Sequence, residues 1–372
     1  MNELKGKKVL FTSHTANFSK FNRPFMRWFK EQGYEVHYAS AGEEEVKDCD
    51  RHFSICFNRS PYSLDNFTAY RQLKRIIDRE NYDIIHCHTP MGSVVTRLAA
   101  RGARKKGTKV IYTAHGFHFY SGAPFINWVL YYPIEKCLSK YIDCLITINK
   151  EDYLRANKKF HTKNIYKIDS VGVDLSRFAS ISNRQKQNLR SKYGYGLDEP
   201  ILICVGEFTT NKDQAFMINI LPELIKKIPN LKLVFAGVGY RMEPCQRLVN
   251  DLGVQKHVDF LGYRQDVDKL YQLSDILVSF SRREGLPINI LEGMATGLPV
   301  VCTSVRGHVD VIKHGLNGFL YDCSDQGAFI KNVLRLFSDK KLIKSIKGHN
   351  LEDVKKYSVD NAIKTMKKIY KK

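Results

Sequence analysis

The chain has 372 residues, of which 43% are hydrophobic and 26% charged. This ordinary globular composition excludes a disordered or fibrous protein, and the length predicts two domains. Lys and Arg number 59 against 38 Asp and Glu, a formal charge of +21, which predicts an anionic partner: nucleic acid, an anionic membrane or phosphorylated ligands.

The start of the chain and its cysteines bear on the cellular compartment. Residues 1–8 lead directly into the strand-like run Val9–Phe11, which predicts that there is no signal peptide. No run approaches about 18 uninterrupted apolar residues, so we expect no transmembrane helix. The nine cysteines are scattered singly, as reduced thiols of a cytosolic protein would be. We therefore expect a cytoplasmic protein.

In the first half of the chain, short β-branched and aromatic runs alternate with stretches of helical period. This alternation is typical of βαβ units and a parallel sheet. We predict helices such as Arg23–Gln32 and Phe67–Glu80 between the strands. The predicted strands are Lys8–Thr12, Glu35–Ala39, Ile84–Cys87, Lys109–Thr113 and Cys144–Thr147.

A basic run and an aromatic run follow one another in this half. Residues 97–109 contain six basic side chains and no acidic one, and Arg97, Arg101 and Arg104 would share a helical face. Anionic lipid attracts such a patch by about 1 kcal/mol per basic residue. Residues 117–132 are rich in interfacial aromatics but too few to span a bilayer. Two interpretations stay open: attachment to an anionic membrane, or a buried helix beside a solvated basic face.

The alternating pattern restarts in the second half, which predicts a second domain of the same kind. A helix is predicted at Gln214–Lys226, and a final amphipathic helix at 356–372 is expected to pack on the first domain. The predicted domains are 1–180 and 181–355. The predicted strands are Ile201–Val205, Lys232–Ala236, Val258–Phe260, Ile276–Ser279, Pro299–Cys302 and Gly318–Tyr321.

These elements predict an α/β fold of two doubly wound, Rossmann-like domains that face each other across a cleft. Doubly wound sheets bind their ligands at the carboxyl ends of the strands, so the ligand site is expected in that cleft.

The strongest functional signal lies in residues 281–301. Pro287 suits the first turn of a helix and Gly297 its C-terminal stop, so the helix would begin beside Pro287. Glu284 then lies in the preceding loop and Glu292 inside the helix. The helix N-terminus favours phosphate, and carboxylates beside it could accept hydrogen bonds from sugar or ribose hydroxyls. From these residues alone, ordinary surface carboxylates are an equal alternative.

The pair Glu284 and Glu292, followed by Gly297-Leu-Pro-Val-Val, resembles the Glu-x7-Glu motif of the retaining GT-B glycosyltransferases of family 4, or glycosyl transferases group 1. The resemblance runs along nearly the whole chain. Gly206-Glu207-Phe208 with Asn211-Lys212 is similar to the subgroup that builds bacterial capsular and exopolysaccharides. Further matching segments are 85–89, 112–116, 235–239, 260–262, 307–310 and 315–319.

The resemblance implies a nucleotide-sugar donor site in the second domain. Glu284 would hold hydroxyls of the sugar, Glu292 would hold the ribose, and Lys212 would neutralise the diphosphate. Backbone amides of Leu286 and Ile288 would add to an anion hole. The remaining donor-binding positions that it implies are Gly206, Gly262, Arg264, Gly285 and Pro287.

In the first domain, the resemblance implies that His115 approaches the donor sugar or its β-phosphate. The predicted catalytic residues are therefore Glu284, His115 and Lys212. The predicted acceptor-binding residues are Asn17, Phe18 and His118.

Two positions depart from the family pattern. Glu207 stands where the family commonly has Arg, so one expected phosphate-binding cation is missing from the diphosphate end of the site. Asp310 stands where Glu is more usual.

A metal site is not expected. His86-Cys87-His88 lies on a strand whose successive side chains point to opposite faces, so these residues cannot close a tetrahedral shell. The acidic pairs Asp48/Asp50 and Asp266/Asp268 fit caps or solvated carboxylates better than metal ligands. The family resemblance also implies neither a divalent ion nor a cofactor.

The activity that the resemblance implies is retaining transfer of a hexose or N-acetylhexosamine from a nucleotide sugar, with UDP the favoured nucleotide. The implied acceptor is a polyprenyl-diphosphate-linked saccharide at the inner face of the plasma membrane. One alternative is a GT-B nucleotide-sugar epimerase. Another is a basic nucleic-acid-binding protein, but no recognisable module is found and the charge splits between both halves, so we expect no nucleic acid.

Overall fold

In the computed structural model, which describes residues 6–371, the internal contacts divide the chain into two units. The first unit runs to Gly172 and resumes at Val359, and the second unit is Val173–Ser358. The sequence predicts these boundaries at 180 and 355. In the structure the second unit begins at Val173 and ends at Ser358. These two residues pair with each other, and the Val173 amide donates to the Tyr357 carbonyl at 2.9 Å.

The first unit is built on a seven-stranded sheet in the order β3-β2-β1-β4-β5-β6-β7, in which every pairing is parallel. Apolar side chains from the central strands and the helices that cover them form its core. The strands are β1 Lys8–Thr12, β2 Glu35–Ser40, β3 Arg51–Ser54, β4 Ile84–His88, β5 Lys109–Ala114, β6 Cys144–Thr147 and β7 Ile165–Lys167.

Helices lie between most of these parallel strands, whereas β2 and β3 are joined by residues 41–50, which form no helix. Short 3-10 helices at Ala16–Phe21 and Ser139–Tyr141 complete the connections. The helices are α1 Arg23–Glu31, α2 Asp65–Glu80, α3 Pro90–Ala99, α4 Arg101–Lys105, α5 Phe125–Leu138 and α6 Lys150–Lys159.

The predicted face shared by Arg97, Arg101 and Arg104 is wrong. Helix α3 ends at Ala99 and α4 begins at Arg101, and Arg97 is buried whereas Arg101 is exposed. The Arg97 side chain is 0% exposed and its guanidinium binds the Glu135 carboxylate at 2.9 Å. Lys109 is also engaged, since its ammonium donates to the Ile369 and Tyr370 carbonyls.

The second unit repeats the architecture with a six-stranded parallel sheet in the order β10-β9-β8-β11-β12-β13. Separate apolar clusters cover the two faces of this sheet. The strands are β8 Ile201–Val205, β9 Lys232–Ala236, β10 Val258–Phe260, β11 Ile276–Ser279, β12 Val300–Thr303 and β13 Phe319–Tyr321. The α/β fold of two doubly wound units is confirmed.

The helices of the second unit lie between these strands and after the last one. A capping box between Ser182 and Gln185 fixes the start of the first helix. The 3-10 helices are Gln255–His257 and Val354–Tyr357. The α-helices are α7 Asn183–Tyr193, α8 Gln214–Lys227, α9 Met242–Asp251, α10 Val267–Leu273, α11 Ile288–Ala295, α12 His308–Val311, α13 Gln326–Ser338 and α14 Lys340–Asp353.

The final helix, α15 Val359–Lys371, returns to the first unit and contacts α1. The Tyr370 ring stacks on Trp28 at 5.8 Å, and its hydroxyl is 2.8 Å from Nδ1 of His86 on strand β4. This helix therefore covers the first sheet beside its central strand.

Candidate functional site

A lysine and a glutamate meet in the second unit where strands β8 and β11 end. The ammonium of Lys212 lies 2.6 Å from Oε1 of Glu284, and the two side chains are 22% and 12% exposed. The sequence predicts both residues in the donor site, and the structure brings them into direct contact. An ion pair at this depth is not a freely rotating surface pair, so both charges are positioned before any ligand binds.

Two neighbouring loops hold the Glu284 loop in place. The Asn211 side chain donates to the Arg283 carbonyl at 3.0 Å, and the Asn211 carbonyl accepts from the Arg282 amide at 2.8 Å. From the other side, the Glu284 amide donates to the Arg306 carbonyl at 3.2 Å. The carboxylate is therefore positioned by backbone contacts from two directions.

Gly307 allows the third loop to lie against Glu284. Its φ is +84°, and a Cβ there would lie 2.8 Å from the Glu284 Cβ and 3.0 Å from the Glu284 carbonyl. Only glycine combines this backbone conformation with so close an approach.

Replacement of Gly307 by Ala is therefore expected to displace the Glu284 loop and to destabilise the second unit by about 1–3 kcal/mol. Gly194→Ala is the matched control, because Gly194 has φ +78° with nothing within 4 Å of the added Cβ. Urea unfolding and nucleotide titration would measure both variants. If Gly307→Ala lost no more stability and nucleotide affinity than Gly194→Ala, the contact with Glu284 would not matter.

His308 is a buried histidine beside the pair that the sequence analysis missed. Its Nδ1 lies 2.9 Å from the Thr303 carbonyl and its Nε2 lies 3.3 Å from Oγ of Ser279. Burial lowers the pKa of His308 to about 4, against the opposing field of Glu284. In the sequence, His308 directly follows Gly307 within the segment 307–310, which matches the family. That position is the signal that could have identified it.

The carboxylate of Glu284 is kept ionised by its neighbours. Burial alone would raise the pKa of Glu284, but the charge of Lys212 and hydrogen bonds from Lys212 and Ser281 hold that pKa below its ordinary value. The Glu284 carboxylate is therefore charged near neutral pH.

Acid is expected to destabilise the protein through His308. Because the folded pKa, about 4, lies below the ordinary value of 6.5, the unfolded chain binds the proton first. The contribution of His308 to stability is then complete above pH 6.5 and is lost, by about 3 kcal/mol, as the pH drops to about 4. Urea unfolding across this window should show a shallower loss for His308→Asn than for wild type. The exposed His349→Asn should leave the slope unchanged; equal slopes in all three proteins would contradict the assignment.

The helix that follows the Glu284 loop begins one residue later than predicted. Pro287 precedes α11 with φ −82° and ψ 84°, close to an inverse γ-turn, and the Ile288 amide donates to the Leu286 carbonyl at 3.1 Å. The Ile288 amide, predicted to belong to an anion hole, is thus engaged within the chain in this structure. Gly285 and Leu286 are half-buried in the loop between Glu284 and this turn.

Glu292 lies in the second turn of α11, separate from the Lys212 pair. It is half-buried, and its Oε2 is 3.5 Å from the Tyr271 hydroxyl. The nearby Asn289 side chain donates to the Val205 carbonyl at 2.9 Å, so α11 is fastened to the end of strand β8. This fixes the position of Glu292 along that strand end.

Glycines let the ends of β8, β9 and β10 approach one another. A Cβ on Gly237 would lie 2.0 Å from the Gly206 carbonyl oxygen, and the Gly237 amide donates to the Gly262 carbonyl at 2.8 Å. The predicted positions Gly206 and Gly262 thus lie in adjacent loops at one edge of the sheet.

The two remaining polar positions of this edge differ in their contacts. The guanidinium of Arg264 binds both carboxylate oxygens of Asp266, at 2.8 and 2.6 Å. Glu207, at the position where the family commonly has Arg, is exposed. To bind the donor as predicted, the Arg264 guanidinium would have to contact it while still paired with Asp266, or leave Asp266.

The first unit collects imidazoles at the carboxyl ends of β4 and β5. Nδ1 of His88 lies 3.1 Å from Nε2 of His115, and the Phe18 ring contacts both. Burial lowers the pKa of His115 to about 4 and the pKa of His88 well below its ordinary value. Both rings are therefore neutral at pH 7, and Nε2 of His88 is buried with no hydrogen-bond partner among residues 6–371.

The other two predicted acceptor residues are Asn17 and His118. Asn17 is exposed on the 3-10 helix Ala16–Phe21. The His118 ring stacks on Tyr131 of helix α5 at 4.7 Å. The structure thus brings Phe18 to His115.

Within residues 6–371, no three His, Cys, Asp or Glu side chains form a group that could hold a metal ion. His86 and His88 share one face of β4, but Nδ1 of His86 pairs with Tyr370 and its Nε2 with Thr113.

Two doubly wound units and a charged pair at the strand ends of the second define the class of protein: the chain has the GT-B glycosyltransferase fold. The crystal structure of HepE from Anabaena in complex with UDP and glucose superimposes with a TM-score of 0.82 at 17% identity, covering 98% of this chain and 99% of that chain. A sucrose-phosphate synthase from Thermosynechococcus elongatus gives a TM-score of 0.79 at 17% identity, with 98% of each chain covered.

Sequence comparison then gives the family. Residues 185–350 match the family model described as glycosyl transferases group 1, and residues 8–149 match glycosyl transferase 4-like. EpsD of Bacillus subtilis, itself only provisionally assigned as a glycosyltransferase, is 44% identical over 98% of this chain and 96% of its own length. The chain belongs to the family of the group 1 glycosyl transferases, and the protein is a glycosyltransferase.

A more distant relative has a more specific name. The Escherichia coli UDP-Gal:alpha-D-GlcNAc-diphosphoundecaprenol alpha-1,3-galactosyltransferase is 29% identical over 85% of this chain and 82% of that protein.

Proposed function

We propose that this glycosyltransferase transfers a hexose or N-acetylhexosamine from a UDP-sugar, with retention, to a lipid-linked saccharide in bacterial surface polysaccharide assembly. The observation that carries the proposal is the mostly buried pair of Lys212 and Glu284 at the strand ends of the second unit. A cation and a carboxylate 2.6 Å apart suit a ligand with a diphosphate beside sugar hydroxyls.

The choice of UDP is supported by relatives. HepE was crystallised with UDP and with UDP-glucose, and the Escherichia coli enzyme is named for UDP-Gal. In this chain, Gly206, Gly237 and Gly262 bring three strand ends together without side chains, which suits a site where a nucleotide diphosphate approaches the backbone closely.

The proposed transfer retains the anomeric configuration of the donor, as the family resemblance implies. The bond between the anomeric carbon and the diphosphate oxygen breaks, and the acceptor hydroxyl oxygen bonds to the same face of that carbon. The hydroxyl proton passes to the departing diphosphate, whose negative charge Lys212 stabilises. Glu284 is already paired with Lys212, so its role is to accept hydrogen bonds from sugar hydroxyls. His115 is the proposed catalytic residue of the first unit.

The acceptor and the location are proposed together. The Escherichia coli relative is named for an acceptor linked to diphosphoundecaprenol, and such a lipid is confined to the membrane. Within residues 6–371, every helix is too short or too polar to cross a bilayer. We therefore place the working protein at the inner face of the plasma membrane, attached from one side.

The test is a transfer assay with a panel of UDP-, GDP- and ADP-sugars and a polyprenyl-diphosphate-linked saccharide. We expect a UDP-sugar to give a disaccharide product. NMR should show that the new linkage has the anomeric configuration of the donor. An inverted product would refute retention, and activity with only a GDP- or ADP-sugar would refute the nucleotide assignment. Conversion of the donor to an epimer without acceptor would mean that the protein is an epimerase.

Replacement of Lys212 by Gln is expected to weaken UDP binding and to slow transfer by about tenfold or more, because one charge-assisted contact to the diphosphate is lost. The matched control is Lys227→Gln, an exposed lysine at the end of α8. Calorimetric titration with UDP and initial rates would measure both. Unchanged UDP affinity in Lys212→Gln would remove Lys212 from the diphosphate site.

A further inference from the structure

Helix α5 exposes an apolar face to solvent. Phe125, Ile126 and Val129 are 81%, 64% and 54% exposed. A soluble helix ordinarily turns polar side chains outward, and one that is apolar all round is ordinarily buried. We call this surface the α5 outer face; its members are Phe125, Ile126, Val129, Pro133, Ile134 and Cys137, all exposed.

The opposite side of α5 already anchors the helix to the first unit. Glu135 is buried against the guanidinium of Arg97 on α3. The rings of Trp128 and Tyr132 contact Phe119, at 5.8 and 5.3 Å. Because this inner side holds the helix in place, the outer face is not needed for folding and must be explained by something outside the unit.

Basic side chains lie next to the C-terminal end of α5. The guanidinium of Arg101 sits 4.5 Å from the Tyr141 ring, and Arg104 donates to the Lys140 carbonyl at 3.3 Å. Lys105 and Lys140 are exposed. The basic run of α4 therefore lies beside the segment that directly follows α5, although Arg97 takes no part in it. An apolar helix face bordered by positive charge is the pattern of helices that lie in the surface of anionic membranes.

The N-terminal end of α5 adjoins the loop that follows His115. The Asn127 side chain donates to the His118 carbonyl at 3.0 Å, and the His118 ring stacks on Tyr131. Helix α5 follows strand β5, so it begins at the carboxyl edge of the first sheet, where His88 and His115 lie. A lipid surface on the outer face would thus be continuous with the edge that carries the imidazoles.

We propose that the α5 outer face inserts into the interface of an anionic bilayer, with Phe125, Ile126 and Val129 as the inserted side chains. This proposal rests on the proposed lipid-linked acceptor and assigns the surface by which the protein reaches it. The helix is about 21 Å long at 1.5 Å per residue, enough to lie in the interface but not to cross it. A second copy of the chain is less suitable as occupant, because it would bring a second set of the same basic residues to the patch.

The test measures binding of the full chain to phosphatidylglycerol-containing vesicles by sedimentation. Wild type is expected to bind them and to release as salt is raised. The triple variant Phe125→Gln/Ile126→Gln/Val129→Gln should bind at least about tenfold more weakly. Leu197→Gln/Leu252→Gln, two exposed leucines of the second unit, should bind as wild type does. Circular dichroism checks folding, and should the triple variant unfold, Phe125→Gln alone decides, with a loss of about threefold.

Several results would overturn the proposal. One is that the wild-type protein fails to bind the vesicles, and another is that the triple variant binds them as tightly as wild type does. A third such result is that wild type forms a dimer and the triple variant is a monomer. Lys105→Gln/Lys140→Gln should weaken binding only to anionic vesicles, and equal loss on phosphatidylcholine would count against the role of charge.

The same variants separate this proposal from the proposed function. With a saccharide diphosphate on a short, water-soluble tail, the triple variant should transfer sugar at the wild-type rate. If wild type transferred no sugar to any acceptor, the proposed function would fail while vesicle binding still decided the role of the outer face.

Discussion

Replacement of Glu284 by Gln is expected to lower kcat/KM for sugar transfer by about 100- to 1000-fold, as loss of one positioned electrostatic group in an active site does. The amide keeps the size of the side chain but removes the charge that Lys212 holds at 2.6 Å. Lys212 then lacks its partner and binds the donor diphosphate without the carboxylate that orients the sugar beside it. Initial rates with the UDP-sugar that proves active would measure the loss.

Glu243→Gln is the matched control for this change. Glu243 lies on α9 of the same unit, is largely exposed and pairs with Arg247 one helical turn away. It should keep the wild-type rate, and both variants should keep the far-UV spectrum. Full turnover by Glu284→Gln would remove Glu284 from the active site. A loss that disappeared in the background of Lys212→Gln would show instead that the two residues act only as a unit.

The sheets could be predicted from the sequence because buried parallel strands are continuous apolar runs. Strands β1, β6 and β8 to β11 have their predicted bounds. Strand β3, Arg51–Ser54, was not predicted, since it is a polar edge strand with no buried residue. Strand β7, Ile165–Lys167, was also missed because three residues carry too little periodicity. Edge strands depend on their single neighbour and not on a pattern of their own.

The site was predictable in part. The spacing of Glu284 and Glu292 and the following glycine and proline identify the loop and helix, because these residue types have local conformational preferences. The contact between Lys212 and Glu284 joins residues far apart in the sequence, and nothing local encodes it. His308 was missed for the same reason: its importance comes from burial beside Glu284.

The error at Arg97 has a definite physical origin. A helical wheel through residues 97–104 assumes one continuous helix, but the helix is interrupted at Ala100 between α3 and α4. Charge also misleads here, because a lone arginine is normally exposed. Glu135, which lies on another helix, makes burial of Arg97 possible. The predicted basic run therefore includes one residue, Arg97, that is buried and does not belong to the exposed basic surface.

Replacement of Arg97 by Met is expected to destabilise the first unit by about 3–5 kcal/mol, because removal of one partner leaves the other charge buried and unpaired. Arg97 also donates to the Ser93 carbonyl and lies 4.4 Å from the Tyr112 ring, so methionine replaces only the apolar part of its contacts. Urea unfolding followed by circular dichroism would give the free energy of unfolding. Arg101→Met makes the same substitution at an exposed position. It should change the free energy of unfolding by less than about 1 kcal/mol.

The double variant Arg97→Met/Glu135→Leu decides whether charge is the cause. With both charges gone, no buried carboxylate is left unpaired, so the double variant should recover much of the stability that Arg97→Met loses. Recovery would mean that the pair fixes the position of α5 more than it adds stability, since an apolar pair can fill the same space. If the double variant were as unstable as the sum of the single variants, the cost would come from lost packing around α3 and α5. The α5 outer face would then be expected to lose its position as well, and vesicle binding by the double variant would fall with its stability.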